Sequence, residues 1–395
     1  MPASNTMQTY GSVTKTFHWL TALLILALVP LGLIANALPY QTDAELALKA
    51  QVFSVHKTLG VLVFAVALAR IVWAVTQPKP GDLNHDHKVQ SALAAVVHWT
   101  LYISLVAVPL SGWVHHAATA GFAPIWLPIS QNLPFVPKDE AVAEAAAAVH
   151  WLFSKIMIAS ILLHIAGALK HHFIDKDATL RRMWFGPADA PLVPAHRGSL
   201  AAPVGAIAVF ALATGGAAAA GLFRDHESMP TEALAAVSSE WTVTEGEIGI
   251  TVAQLGSDVQ GRFADWTAAI SFDPDVTGAA GEVTTTIAIQ SLTLGSVTSQ
   301  AMGADFFDAA TFPTATFTGA IIEDAGSYTA DGVLSIKDSA VPVTFPFDLT
   351  IEGDTAQMAG TLTLDRRDFG IGASMADESS LGFSVDVTLQ VSATR

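Results

Sequence analysis

Residues Val149–Met183 read VHWLFSKIMIASILLHIAGALKHHFIDKDATLRRM. The stretch contains most of an apolar run, about Ala145 to Leu169, long enough to cross a bilayer, which takes about 20 apolar residues. It ends in a basic segment carrying Lys170, Lys176, Arg181 and Arg182. Within the run stand His150 and His164. Their spacing is close to four helical turns, so both imidazoles share one face of the helix, about 21 Å apart along its axis. Ionisable side chains inside a membrane helix are costly, and two on one face mark a functional interior rather than a lipid-facing surface.

Four further apolar runs surround this one: Trp19–Leu38, His56 to about Val75, about Ala92 to Val114, and residues 198–223, GSLAAPVGAIAVFALATGGAAAAGLF. The opening MPASNTMQTYGSVTKTFHWL lacks the basic start and small-residue cleavage site of a signal peptide, so the first run is expected as a retained helix. The connection between runs two and three is flanked by Arg70, Lys79 and Lys88, and run four is followed by the four basic residues above. The opposite connections hold only Lys49 and Lys138. Positive residues stay inside, which predicts a cytoplasmic N-terminus in the inner (plasma) membrane. The fifth run, expected as a tether helix over about 199–223, would then carry residues from about 226 to 395 outward, into the periplasm of a two-membrane cell.

The alternating course sets the height of each histidine. His18 opens run one from the inside, whereas His56 and His150 open runs two and four from the outside, and His164 lies deeper. Depth pairs His56 with His150 near the outer face and His18 with His164 near the inner face. The chain has no cysteine. That excludes disulfides, thiolate metal sites and covalent c-type attachment. Two imidazoles facing each other across an apolar bundle suit a six-coordinate b-type haem, so two haem b groups are expected. With both axial positions filled, such a haem transfers electrons rather than binding oxygen.

Other residues admit two readings. Lys57 and Lys155 lie near the outer pair, where they either neutralise haem propionates and attract an anionic one-electron donor, or snorkel to the interface. Arg70 either pairs an inner propionate or simply obeys the charge rule. His98, entering run three from the inside, is a candidate for quinone contact or proton transfer. His115, His116, His171 and His172 read as solvated helix ends.

Composition divides the chain. Its 395 residues are 51% hydrophobic and 14% charged, but residues 1–226 hold 14 Lys/Arg against 11 Asp/Glu, and residues 227–395 hold 5 against 24. The acidic half excludes nucleic acid as a partner and suits a soluble domain. From Trp241 onward the pattern turns to short alternating stretches such as GEIGITVAQL, ATFTGAIIE, VTFPFDLTIEG and GFSVDVTLQVSA. About eight such strands predict an antiparallel barrel with room for one small ligand. The fold class is thus a transmembrane four-helix bundle with a fifth tether helix, then an all-β lipocalin-like antiparallel barrel. The expected domains are 1–185, a linker at 186–237 containing the fifth helix, and 238–395.

Residues 8–185 resemble the bacterial cytochrome b561 family, on FHW at Phe17–Trp19, VHKTLG at Val55–Gly60, VHWTLYISLVAVPLSGW ending at Trp113, and the stretch quoted first. The resemblance implies two b haems ligated at His18, His56, His150 and His164, and electron exchange with the quinone pool. Residues 238–394 resemble the YceI-like family of lipocalin-like barrels, on VQGRFADWTAAISFDPD, MGADFFDAATFPTATFTG, GVLSIKDSAVPVTFPFDLTIEG and LDRRDFGIG. This implies an isoprenoid lipid or isoprenoid quinone in an apolar interior. The family often has a histidine near Gln254 and an Asp-x-His motif before the DFF element, where this chain reads TSQAMGADFF.

The leading expectation is an oxidoreductase moving electrons through two haems between isoprenoid quinone and a one-electron partner, with superoxide as a candidate donor beside Lys57 and Lys155. Two alternatives stand. One is an isoprenoid-binding stress carrier anchored by the haem domain. The other is the cytochrome b subunit of a larger respiratory complex. A homodimer is compatible with each.

Overall fold

The computed structural model describes residues 2–81, 83, 87–119, 123–186, 190–193, 200–223, 234–295 and 297–395. The chain divides into two compact units. The first comprises Met1–Leu38, Gln51–Ala118 and Pro124–Asp225, and the second comprises Pro39–Ala50, Thr119–Ala123 and His226–Arg395.

The first unit is helical because its apolar runs can satisfy backbone polar groups only internally once away from water. Four long helices are α1 (Ser12–Ala37), α2 (Asp43–Val75), α3 (Lys88–Ala118) and α4 (Glu140–Lys170). Asp139 caps α4 by accepting from the Val142 N–H at 2.9 Å. A π-helical turn, His171–Asp175, follows α4 and leads into the short α5 (Thr179–Met183). α6 (Ala201–Ala219) occupies the middle of the expected fifth run, whose residues 198 and 199 lie outside the described residues. Among the described residues, five helices are long and apolar enough to cross a membrane.

The bundle interior is a cluster of Ile25, Leu28, Val63, Ala67, Leu105, Val108 and Met157. Leu23, Leu162 and Leu212 instead face outward at more than 60% exposure. That inversion suits lipid rather than water as the surrounding medium. α6 does more than tether: Ala206 is fully buried, Phe210 meets Phe153 edge-on at 4.8 Å, and Gly205 backs onto Val96 of α3. Small residues permit this close approach.

Among its described residues the second unit carries ten antiparallel strands: β1 (Thr242–Gln254), β2 (Ser257–Phe263), β3 (Trp266–Phe272), β4 (Gly278–Ala288), β5 (Leu292–Thr293), β6 (Thr314–Asp324), β7 (Ser327–Ile336), β8 (Ser339–Glu352), β9 (Thr355–Asp365) and β10 (Leu381–Thr394). They form one sheet in the order β3-β4-β6-β7-β8-β9-β10-β1-β2-β5. The count exceeds the expected eight. β5 has only two residues, and β2 and β3 are joined by Ala264 and Asp265 without a glycine or proline to mark the break.

Tight hairpins join neighbours. Leu255–Gly256 and Ala325–Gly326 both take positive φ at each position, 49° and 77°, and 51° and 86°. This is the turn whose twist matches that of paired strands. The sheet curls until residues ahead of β1 reach β3, where the Ser239 hydroxyl and the Glu240 N–H donate to the Ile270 carbonyl at 3.0 and 3.1 Å. Inside lies an apolar cavity of about 300 Å³, walled from Trp241 and Phe272 to Phe306 and Leu381.

Candidate functional site

The four helices bring the histidines together in the two pairs expected from depth. His56 of α2 and His150 of α4 have ring centres 6.4 Å apart, and His18 of α1 and His164 of α4 have theirs 6.1 Å apart. A metal held by an imidazole nitrogen on each side, at roughly 2 Å per bond with about 1 Å more to each ring centre, needs about 6 Å between the rings. Both gaps therefore fit one iron.

The His56–His150 pair is held by a repeated device. The His56 Nδ1 lies 3.1 Å from the Leu28 carbonyl, and the His150 Nδ1 lies 2.9 Å from the Val108 carbonyl. Only a protonated Nδ1 can donate there, which leaves each Nε2 lone pair free for a metal. One turn beyond each acceptor stands a glycine. A Cβ on Gly32 would lie 2.9 Å from the His56 ring, and one on Gly112 would lie 3.0 Å from the His150 ring. The rings thus lie directly on the backbones of α1 and α3. Leu28, Gly32 and Val108 were not legible as site residues from the sequence. Their signal is the echo of VPLG at Val29–Gly32 in VPLSG at Val108–Gly112.

At the His18–His164 pair, a third ring is present. His98 stands 5.0 Å from His164, edge to face, and it lies well inside α3 because that helix begins at Lys88. Arg70 stacks its guanidinium on the Tyr102 ring at 5.6 Å and acts electrostatically on both His18 and His164. The segment after α4 folds back onto α1 here. Lys15 and the Trp19 indole donate to the Trp184 and Met183 carbonyls at 2.8 and 2.9 Å, respectively. Arg182, one of the basic residues that follow run four, is buried and donates to the Gly81 carbonyl at 2.7 Å.

The lysines divide. Lys57, next to His56 in sequence, donates to the Nδ1 of His116 at 3.3 Å, and His116 Nε2–H donates to the Gln131 Oε1 at 2.8 Å. The Gln131 Oε1 also accepts from the Ile125 N–H, and its Nε2 donates to the Ile125 carbonyl. His116 is therefore a buried link rather than a solvated helix end, and His115 likewise lies 2.9 Å from the Ala143 carbonyl. Helix α3 runs on to Ala118, which carries both imidazoles into the packed interior. Lys155 is exposed, with its ammonium 5.4 Å from the Trp151 ring centre, and among the described residues no hydrogen bond joins it to the outer pair. His171 pairs with Asp177 at 2.6 Å and Asp175 at 3.3 Å in the π-helical turn.

Comparison with known proteins identifies the families of both parts of the chain. Residues 9–186 match the family described as prokaryotic cytochrome b561, and residues 240–393 match the YceI-like domain. Cytochrome b561 homolog 2 of Escherichia coli K12 is 34% identical over 185 residues, 46% of this chain and 95% of that protein. A protein of Yersinia pestis described as probable superoxide oxidase CybB is 24% identical over 175 residues, 44% of this chain and 94% of its own. Among solved structures, BcnA of Burkholderia cenocepacia shares 30% identity over 38% of this chain and 96% of its own, with a TM-score of 0.36. Membership of the first family implies b-type haem and electron transport. The chain belongs to the prokaryotic cytochrome b561 family and carries a YceI-like domain after its membrane helices.

Proposed function

We propose that this protein moves electrons across the inner membrane between isoprenoid quinone and a one-electron partner, using two b haems held by His56 with His150 and by His18 with His164. The observation that carries this reading is the pair of imidazole gaps, 6.4 and 6.1 Å, set at two heights of one bundle. Bound haem supplies a one-electron iron couple at each position. The chain does the rest. The carbonyls of Leu28 and Val108 orient the outer imidazoles and raise their basicity toward a metal. The ammonium of Lys57 gives the outer end a positive charge, held in place by His116 and Gln131, that attracts a small anionic donor. Superoxide is the candidate suggested by the name of the Yersinia relative. His98, beside His164, is placed to contact a quinone or pass a proton at the inner end.

The YceI-like barrel, on this reading, lies outside the cytoplasm and binds an isoprenoid lipid or quinone in its apolar cavity. Fusion keeps such a carrier at an effective concentration of roughly millimolar beside the haem domain. The test is a reduced-minus-oxidised spectrum with haem quantification on wild type, His150→Ala and His164→Ala. Two haems per chain are expected, with each substitution removing one. A spectrum unaffected by both substitutions refutes the ligand assignment.

A further inference from the structure

The cavity wall of the barrel is almost entirely hydrocarbon. Among the described residues, apart from the indoles of Trp241 and Trp266, only Gln254, Thr285, Gln300 and Arg366 bring polar or ionic side chains to it. Gln254 stands out. It is the last residue of β1, and it follows Ile248, Ile250 and Val252 on the same inward face, where alternation calls for another aliphatic side chain. Its backbone is held in the ladder opposite Leu381 and Ser257. The residue is 4% exposed, and its Oε1 is buried with no hydrogen-bond partner.

The charged group on the same wall cannot serve it. Arg366 spends all five N–H donors on carbonyls: Nε on Gly382 at 2.9 Å, Nη1 on Ile371 and Gly372 at 2.8 and 2.7 Å, and Nη2 on Met375 and Leu381 at 2.5 and 3.1 Å. A buried acceptor left unpaired destabilises a fold, and native proteins rarely retain one without a use. An amide offers one acceptor and two donors on adjacent atoms.

We propose that Gln254 reads the head group of the cavity's ligand and selects a hydroxyl, an inference that rests on the lipid-binding reading of the barrel above. A hydroxyl donates its proton to Oε1 and accepts from the Nε2–H group, satisfying both ends of the amide. A quinone carbonyl or an ether oxygen only accepts, and leaves Oε1 orphaned in hydrocarbon. The barrel therefore favours an isoprenoid alcohol or a reduced quinone ring over forms of the same molecule that lack the donor.

The test uses the full chain in nanodiscs, with empty nanodiscs subtracted, and measures dissociation constants by calorimetry. Farnesol and its methyl ether form one arm. A phenol bearing the same farnesyl tail and its methyl ether form the other, standing in for a reduced ring. The wild-type chain is expected to bind each hydroxyl compound roughly tenfold more tightly than its ether, the size of one buried hydrogen bond gained against one lost. Gln254→Met, of similar length and apolar, is expected to abolish the preference while still binding the ethers. The arm with the larger Gln254-dependent preference identifies the source of the hydroxyl. Equal binding of alcohol and ether by wild type, or a preference surviving in Gln254→Met, overturns the proposal. Wild-type binding of none of the four overturns the lipid-binding reading with it.

Discussion

Arg366 shows how much one side chain can hold. Its five donations tie the turn after β9 to the start of β10, and it is 3% exposed. The neighbouring Arg367 is exposed and engages Asp365, with its Nη2 2.5 Å from the carboxylate. Lysine at 366 would keep the charge but bring three donors on a single atom, leaving at least two buried carbonyls unpaired. Arg366→Lys is expected to destabilise the barrel by at least about 2 kcal/mol. The check is a lower urea midpoint for barrel unfolding with an unchanged slope. Arg367→Lys serves as the comparison and is expected to move the midpoint little, since exposed pairs contribute weakly. Equal midpoints for the two variants would show that the donations from Arg366 are dispensable. The LDRRDFGIG stretch signals this region in the sequence, and parity with the inward Leu362 and Leu364 of β9 points to Arg366 as the buried member. Its five acceptors could not be read, because main-chain carbonyls carry no residue-type signature.

At the scale of elements, the site depends on helices approaching through glycine. The rings of His56 and His150 press on Gly32 and Gly112, and a methyl group at either position would stand about 3 Å from a ring carbon. The ring would have to shift and lose its line to the Leu28 or Val108 carbonyl. Gly32→Ala and Gly112→Ala are expected to lower outer haem content or shift its midpoint potential, with the inner haem intact. Gly167→Ala, where an added methyl meets nothing within 4 Å, is expected to leave both haems unchanged. Haem quantification and redox titration check this. Loss of both haems in Gly32→Ala would point to general unfolding instead. The heights of His18, His56, His150 and His164 were legible because alternating passage through a bilayer leaves little freedom in depth. The glycine contacts were not, because rotation of a helix about its axis depends on packing that no single run encodes. The buried roles of His115 and His116 escaped for a related reason. The end of α3 lies beyond the apolar run, at Ala118 rather than Val114.

For the whole molecule, the decisive question is which side of the membrane each part occupies, since the proposed chemistry needs an outer donor site and an external barrel. Charge is the guide. Arg70, Lys79, Lys88, Lys170, Lys176, Arg181 and Arg182 gather at one set of helix ends, against Lys49 and Lys138 at the other. Basic residues near helix ends resist translocation, so the first set is expected on the cytoplasmic side. Helix α6 is a fifth crossing candidate, and an odd number of crossings places the C-terminal domain opposite the N-terminus. Because the chain has no cysteine, a single introduced thiol reports its own side. Ser327→Cys, at an exposed hairpin between β6 and β7, is expected to react with a membrane-impermeant maleimide in intact spheroplasts. Thr76→Cys, exposed just beyond α2, is expected to react only after lysis. The reverse pattern would put the barrel in the cytoplasm, and Lys57 and the His56–His150 pair with it at the inner end. An anionic donor arriving from outside would then meet the His18–His164 end instead, and the role given to Lys57 would fall.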